Sequence, residues 1–183
     1  MCEKKDDAAV DSPVVEAKAA DGPFGPVPSA PKGWTWHTLM DIALQEASKA
    51  SHAGEVPVGA VIVSAEGEIL ATAHNEPIAN HDPSAHAEML AIRKAAEKLK
   101  NYRLDGAYLV VTLEPCIMCA GAIVHARLAG VVYGALDHKA GAVCSCMDAF
   151  DLPFLNHKPW HMAYVRHEAC AQVLRDFFEQ RRE

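Results

Sequence analysis

The chain has 183 residues, half of them hydrophobic and 22% charged, which suits one compact domain with some excess and excludes wholesale disorder. Its formal net charge of −7 counts against a generic, charge-driven nucleic-acid binder, though not against recognition by a local basic patch and a shaped pocket. No apolar run is long enough to cross a bilayer, so no membrane association is expected. The start "MCEKKDDAAV" lacks the apolar stretch of an export signal, so the six cysteines are expected in the cytoplasm as reduced thiols, metal ligands or catalytic groups.

Residues 1–33 contain "AADGPFGPVPSAPKG", rich in Pro, Gly and Ala and without periodic apolar pattern. A disordered or loosely attached extension is expected there, with 34–183 as the folded domain. Residues 34–53 repeat Leu39, Ile42, Ala43 and Ala47 at helical spacing. Two strands joined by a turn at Glu66-Gly67 are predicted over 56–75. Residues 84–100 predict a helix with Ala85, Met89, Ile92 and Ala96 inward and Arg93, Lys94 and Lys98 outward. "AYLVVTL" (107–113) is a short apolar β run, expected to be buried on both faces. A helix over 116–127 and a strand "GVVYGA" (130–135) come next, then a Gly- and Cys-containing loop with room for a short helix. "HMAYVRH" (161–167) predicts the last strand and 168–182 the last helix. Strands alternating with helices imply a three-layer α/β/α fold around a five-stranded mixed sheet, its first two strands an antiparallel hairpin.

Two short stretches carry chemistry. "DPSAHAEML" (82–90) sets His86 and Glu88 two positions apart at a helix start. On one regular helix such positions point to different sides, so both can serve one metal only if it lies off the helix end. "TLEPCIMCAGAI" (112–123) sets Cys116 and Cys119 one turn apart behind Pro115. The positive end of a helix favours thiolates there. His86, Cys116 and Cys119 make three ligands without a fourth partner of good spacing; Cys144 and Cys146 match knuckle spacing poorly. Three protein ligands with one open place is the pattern of catalytic zinc, and Glu88 is then placed to exchange protons with an activated water. Alone, H-x-E describes many solvated helix starts, and C-x-x-C also suits a redox dithiol or half of a structural zinc site. Together they form H-x-E…P-C-x-x-C, the signature of zinc deaminases.

From about residue 36 onward the chain resembles the bacterial tRNA-specific adenosine deaminases of the cytidine-deaminase-like superfamily. The zinc motifs define only the superfamily; "NYRL", the "LDHKAGA" loop and the terminal "DFFEQRR" carry the resemblance to the tRNA branch. It implies one zinc per subunit on His86, Cys116 and Cys119, with Glu88 as proton shuttle. It further implies Asn75 on the purine edge, and an anticodon stem-loop whose wobble adenosine becomes inosine, in an arginine tRNA with anticodon ACG. A homodimer with RNA contacts from both subunits is also implied. Asp137 is a candidate acceptor for a ribose 2′-OH, or else a turn-forming residue. Lys139, Arg175, Arg181 and Arg182 are candidate phosphate contacts; for the arginines near the helix end, complementing the dipole is the alternative. Of Phe177 and Phe178 at least one is expected to pack inward. Cys144 and Cys146 stand where the family has Gly and a larger aliphatic; a left-handed backbone at 144 would strain a Cys. The competing functions are a guanine or free-nucleoside deaminase of the same superfamily, a non-catalytic RNA-binding module with structural zinc, and a thiol redox protein.

Overall fold

Alternation over 56–75 resolves into β1 (Gly59–Val63) and β2 (Ile69–His74), an antiparallel pair in which Ala60 faces Ala73. The turn between them places Gly67 at φ +91°, a left-handed conformation that suits glycine. The apolar run 107–113 becomes β3 (Tyr108–Leu113), antiparallel to β1 and parallel to β4 (Gly130–Ala135). A short edge strand, β5 (Trp160–Met162), runs parallel to β4. The sheet order is β2-β1-β3-β4-β5, the five-stranded mixed sheet that the element order predicts. The computed structural model describes residues 28–182. Residues 1–27 of the expected extension lie outside them.

The pleat of each strand feeds two cores. Ala60, Ile62, Leu109 and Val111 face the helices α3 (Ala87–Leu99) and α4 (Ile117–His125). Val61, Val63, Val110 and Val132 face α1 (Trp36–His52) and α5 (His167–Glu179). Successive side chains of a strand point to opposite faces, so apolar residues at every position require helices on both. α1 opens with a capping box between Thr35 and Thr38 and buries Leu39, Met40, Ala43 and Ala47. Trp36 is also core, with its ring edge-on to Tyr108 at 5.4 Å. Its indole donates to Pro28 O at 3.1 Å, and that of Trp34 donates to Gly67 O at 2.8 Å, so residues 28–34 lie along the start of α1 and the β1–β2 turn.

Three local expectations shift. A four-residue helix, α2 (Pro77–Asn80), precedes α3 and is too short to leave a periodic signal. α3 buries Ala87, Ala91 and Ala95 completely, while Ile92 and Ala96 are only partly buried. The alanine stripe lets the helix axis approach the sheet, so small residues and not the larger Met89 line the contact. The last strand ends at Met162, not 167, because Tyr164 (φ +70°) and Arg166 (φ +54°) are left-handed and break the extended backbone. No helix forms among residues 136–159. In α5, Phe177 is buried and Phe178 exposed.

Gly59 marks the tightest helix–sheet contact. A Cβ there would overlap Ala43 O and stand 2.5 Å from Ala47 N and 2.8 Å from Glu46 Cβ. The two nearest of these three atoms belong to the backbone of a packed helix, so relief requires the helix to move. Gly59→Ala should destabilise the domain by about 3 kcal/mol, read as a lower urea midpoint at unchanged slope. An unchanged midpoint would show that α1 shifts at no cost.

Candidate active site

Two helix N-termini meet at the carboxyl end of β3. His86 is the N-cap of α3 and Cys116 the N-cap of α4, both with extended backbones (φ −70°, ψ 152° and φ −75°, ψ 173°). Neither side chain caps its own helix. The N-cap position, where Ser or Asp usually spends its oxygen on the helix, is used here to project a ligand past the helix end. That resolves the i, i+2 problem posed by His86 and Glu88: the first leaves before the helix begins, and the second projects from its first turn.

The ligand atoms come together. Cys116 Sγ lies 3.7 Å and Cys119 Sγ 3.6 Å from His86 Nδ1, and the three ligand atoms lie within 4.8 Å of one another. Tetrahedral zinc with a Zn–N distance of about 2.0 Å and Zn–S of about 2.3 Å requires N···S separations of about 3.6 Å. The donor set and its spacing therefore fit zinc. Among the described residues no fourth His, Cys, Asp or Glu joins the cluster.

Electrostatics favour the same occupant. A hydrogen bond from Cys119 holds the Cys116 thiol far below the ordinary range, at about 3, with His86 adding to the effect. Cys119, as the donor to that sulfur and buried besides, is pushed up. The hydrogen bond to Cys116 raises His86 against the opposing effect of burial. Glu88 is 3% exposed, and burial pushes its carboxyl up to about 7. A carboxyl near neutrality beside a metal-ligand cluster is suited to taking up and returning a proton.

Asn75, 8% exposed, follows directly on β2. Its Oδ1 accepts the Ala87 N–H at 2.8 Å, so it caps α3 from outside the helix. Its Nδ2 has no protein acceptor among the described residues and remains as a donor. Asp137 and Lys139 lie in the loop after β4. Asp137 Oδ1 accepts the N–H groups of Lys139 at 2.9 Å and Ala140 at 3.1 Å, the turn-forming role, while Oδ2 accepts no hydrogen bond among the described residues. Cys144 is not among the left-handed residues, so the strain anticipated there does not arise. Two exposed arginines at the carboxyl end engage the protein's own groups. Arg181 stacks on the Phe177 ring at 3.9 Å and donates to Gly54 O, and Arg175 pairs with Glu168.

Two carboxylates only 2% exposed escaped the sequence analysis, as did the less deeply buried Glu46, which pairs with Lys49 and His74. Glu55, 2% exposed, accepts the N–H groups of Ile78 at 2.9 Å and Ala79 at 2.8 Å. These are the orphan donors behind Pro77 at the start of α2, so Glu55 caps the segment following Asn75. Glu114 is the second. Each takes its hydrogen bonds from backbone distant in sequence, which no local pattern announces; the one hint was the apolar setting of both.

Comparison with known proteins matches this geometry. The model of the cytidine and deoxycytidylate deaminase zinc-binding region matches residues 35–135. The tRNA-specific adenosine deaminase of Haemophilus influenzae is 46% identical over 145 residues, covering 79% of this chain and 84% of that protein. A solved structure from work on A-to-I editing by tRNA:A34 deaminases at the wobble position of transfer RNA is 43% identical. It has a TM-score of 0.73 and covers 75% of this chain and 99% of that one. A guanine deaminase from Bacillus subtilis is 36% identical with a TM-score of 0.53, covering 76% of this chain and 92% of that one. The chain belongs to the cytidine and deoxycytidylate deaminase zinc-binding family and groups within it with the tRNA-specific adenosine deaminases.

Proposed function

We propose that the protein deaminates the wobble adenosine of a tRNA anticodon to inosine, with the arginine tRNA of anticodon ACG as substrate. The observation that carries this is the His86–Cys116–Cys119 cluster with Glu88 buried beside it. Its weight toward tRNA comes from the 46% identity to a tRNA-specific adenosine deaminase against 36% to a guanine deaminase.

His86 Nδ1 and the sulfurs of Cys116 and Cys119 would hold one zinc ion per subunit. Bound there, zinc acidifies water and so supplies a nucleophile at neutral pH. Glu88 takes the proton from that water and delivers it to N1 of the adenine as C6 becomes tetrahedral. It then carries the second proton, taken from the new C6 hydroxyl, to the departing amino group. Adenosine and water become inosine and ammonia, and the carboxylate ends as it began. Asn75 uses Nδ2 to donate to the purine edge while its oxygen remains on α3, so base binding and Glu88 share one anchor. Asp137 offers Oδ2 to a ribose 2′-OH, and Lys139 sits in the same loop for the backbone phosphates. An anticodon loop is single-stranded, so turning out its base costs only a few kcal/mol, less than from a duplex.

The protein would work in the cytoplasm as a homodimer. No helix among the described residues is long and apolar enough to cross a membrane. Exposed apolar side chains at the start of α4 (Ile117) and beside its end (Phe154, lining a cleft with Val124 and His125) supply material for a subunit contact.

The test is to offer purified protein an ACG anticodon stem-loop, guanine and cytidine separately and to assay ammonia. Release from the stem-loop alone is expected. Ammonia from guanine alone would make the protein a guanine deaminase, and none from any would favour a zinc-containing binding module.

A further inference from the structure

Glu114 is 2% exposed at the end of β3, and the loop after β4 closes around its carboxylate. Oε1 accepts the N–H groups of Val143 at 3.2 Å, Cys144 at 2.8 Å and Ser145 at 2.8 Å. Oε2 accepts the Asp137 N–H at 3.1 Å and the Ser145 hydroxyl. The five donors come from both ends of one loop and outnumber the roughly four lone-pair sites of one carboxylate, so the three on Oε1 share its two. The same strand end leads through Pro115 into Cys116. Ala142 N–H donates to Pro115 O at 2.9 Å, and Cys116 bridges Gly141. Gly141 has no room for a side chain: a Cβ would stand 2.5 Å from Asp137 O and closer still to the Glu114 carboxylate.

We infer that Glu114 is a positioning residue that locks the 137–145 loop to the strand end delivering Cys116, and thereby sets Asp137 and Lys139 at a fixed distance from the metal ligands. This rests on the RNA deaminase reading above, in which that loop meets ribose and phosphate. A carboxylate suits the task because all its partners are donors. A neutral amide of the same size presents one acceptor and turns an NH2 group against backbone N–H groups, leaving buried donors unpaired. The loop supplies recognition and not proton transfer, so its loosening should weaken capture of the anticodon while sparing turnover of bound substrate.

The experiment uses the full chain loaded with zinc and compares wild type, Glu114→Gln and Ser145→Ala. Three quantities are read: amide hydrogen exchange over 137–145, bound zinc, and kcat and KM for the ACG stem-loop. In Glu114→Gln, exchange over 137–145 should quicken and KM rise, each by about tenfold or more, as expected for lost hydrogen bonds to a charged group, with zinc content kept and kcat nearly unchanged. Ser145→Ala, which removes one of the donors, should move exchange and KM the same way by about threefold, the scale of one neutral hydrogen bond, and stands in should Glu114→Gln fail to fold. Unchanged exchange in a folded Glu114→Gln, or in Ser145→Ala where that variant stands in, would overturn the positioning role. So would a fall in kcat at constant KM, or loss of zinc, which would place its action on the metal. If the wild type deaminates no RNA, the functional reading fails, and the exchange measurement still decides whether Glu114 fixes the loop.

Discussion

Glu88→Gln should keep the fold and the bound zinc and lose deamination of the stem-loop by about a thousandfold in kcat, within the range for removal of a general acid–base. Gln matches Glu in size and can remain in a site that is 3% exposed. What it cannot do is accept a proton from water and return it. Burial already pushes the Glu88 carboxyl up to about 7, so exchanging it for a neutral amide removes a desolvation cost, and unfolding should occur at the same or slightly higher denaturant. The check is steady-state ammonia release together with metal analysis and urea unfolding on one preparation. A variant that binds zinc and turns over like wild type would show that the carboxylate does not carry the proton, and would favour a structural metal.

Stripping the metal with a chelator should abolish activity, and adding back one equivalent of zinc should restore it. The secondary structure should survive the stripping. α3 and α4 are held to the sheet by Ala91, Ala95, Ala120 and Ile123, all fully buried, so the fold does not hang on the metal as a zinc finger does. Cys119→Ala should give the same inactive, folded protein permanently, because two ligands remain of three. Thiol alkylation supplies an independent reading: Cys116 should be shielded in the zinc-loaded protein and react after chelation, while Cys119, fully buried, should react only on unfolding. Activity that survives complete metal removal would contradict a catalytic metal.

Much of the fold was legible because burial on both sheet faces imposes apolar runs of strand length. β4 matches its predicted bounds, 130–135, since "GVVYGA" is buried throughout and ends one residue short of the polar run that starts at Asp137. β5 was overextended because apolar and aromatic residues continue past Met162, and the left-handed backbones of Tyr164 and Arg166 leave no mark in composition. The buried face of α3 was displaced by about one residue, because Ala85–Met89–Ile92–Ala96 and Ala87–Ala91–Ala95 are both apolar stripes at helical spacing, and close packing on β1 and β2 selects the all-alanine one. The His86–Glu88 and Cys116–Cys119 motifs were legible because the chemistry fixes residue type and spacing together. Glu55 and Glu114 were not, because a buried carboxylate is recognised only by its donors, which lie 23 to 31 residues away in the chain. The capping of α3 by Asn75 was not legible either, for the same reason.

Crystals of the zinc-loaded protein, measured at the zinc absorption edge, offer the most direct test. One anomalous peak is expected within bonding distance of His86 Nδ1 and the sulfurs of Cys116 and Cys119, with solvent in the remaining position and Glu88 facing it. A fourth side chain on the ion, or a peak elsewhere with these three groups unliganded, would contradict a catalytic zinc at this site.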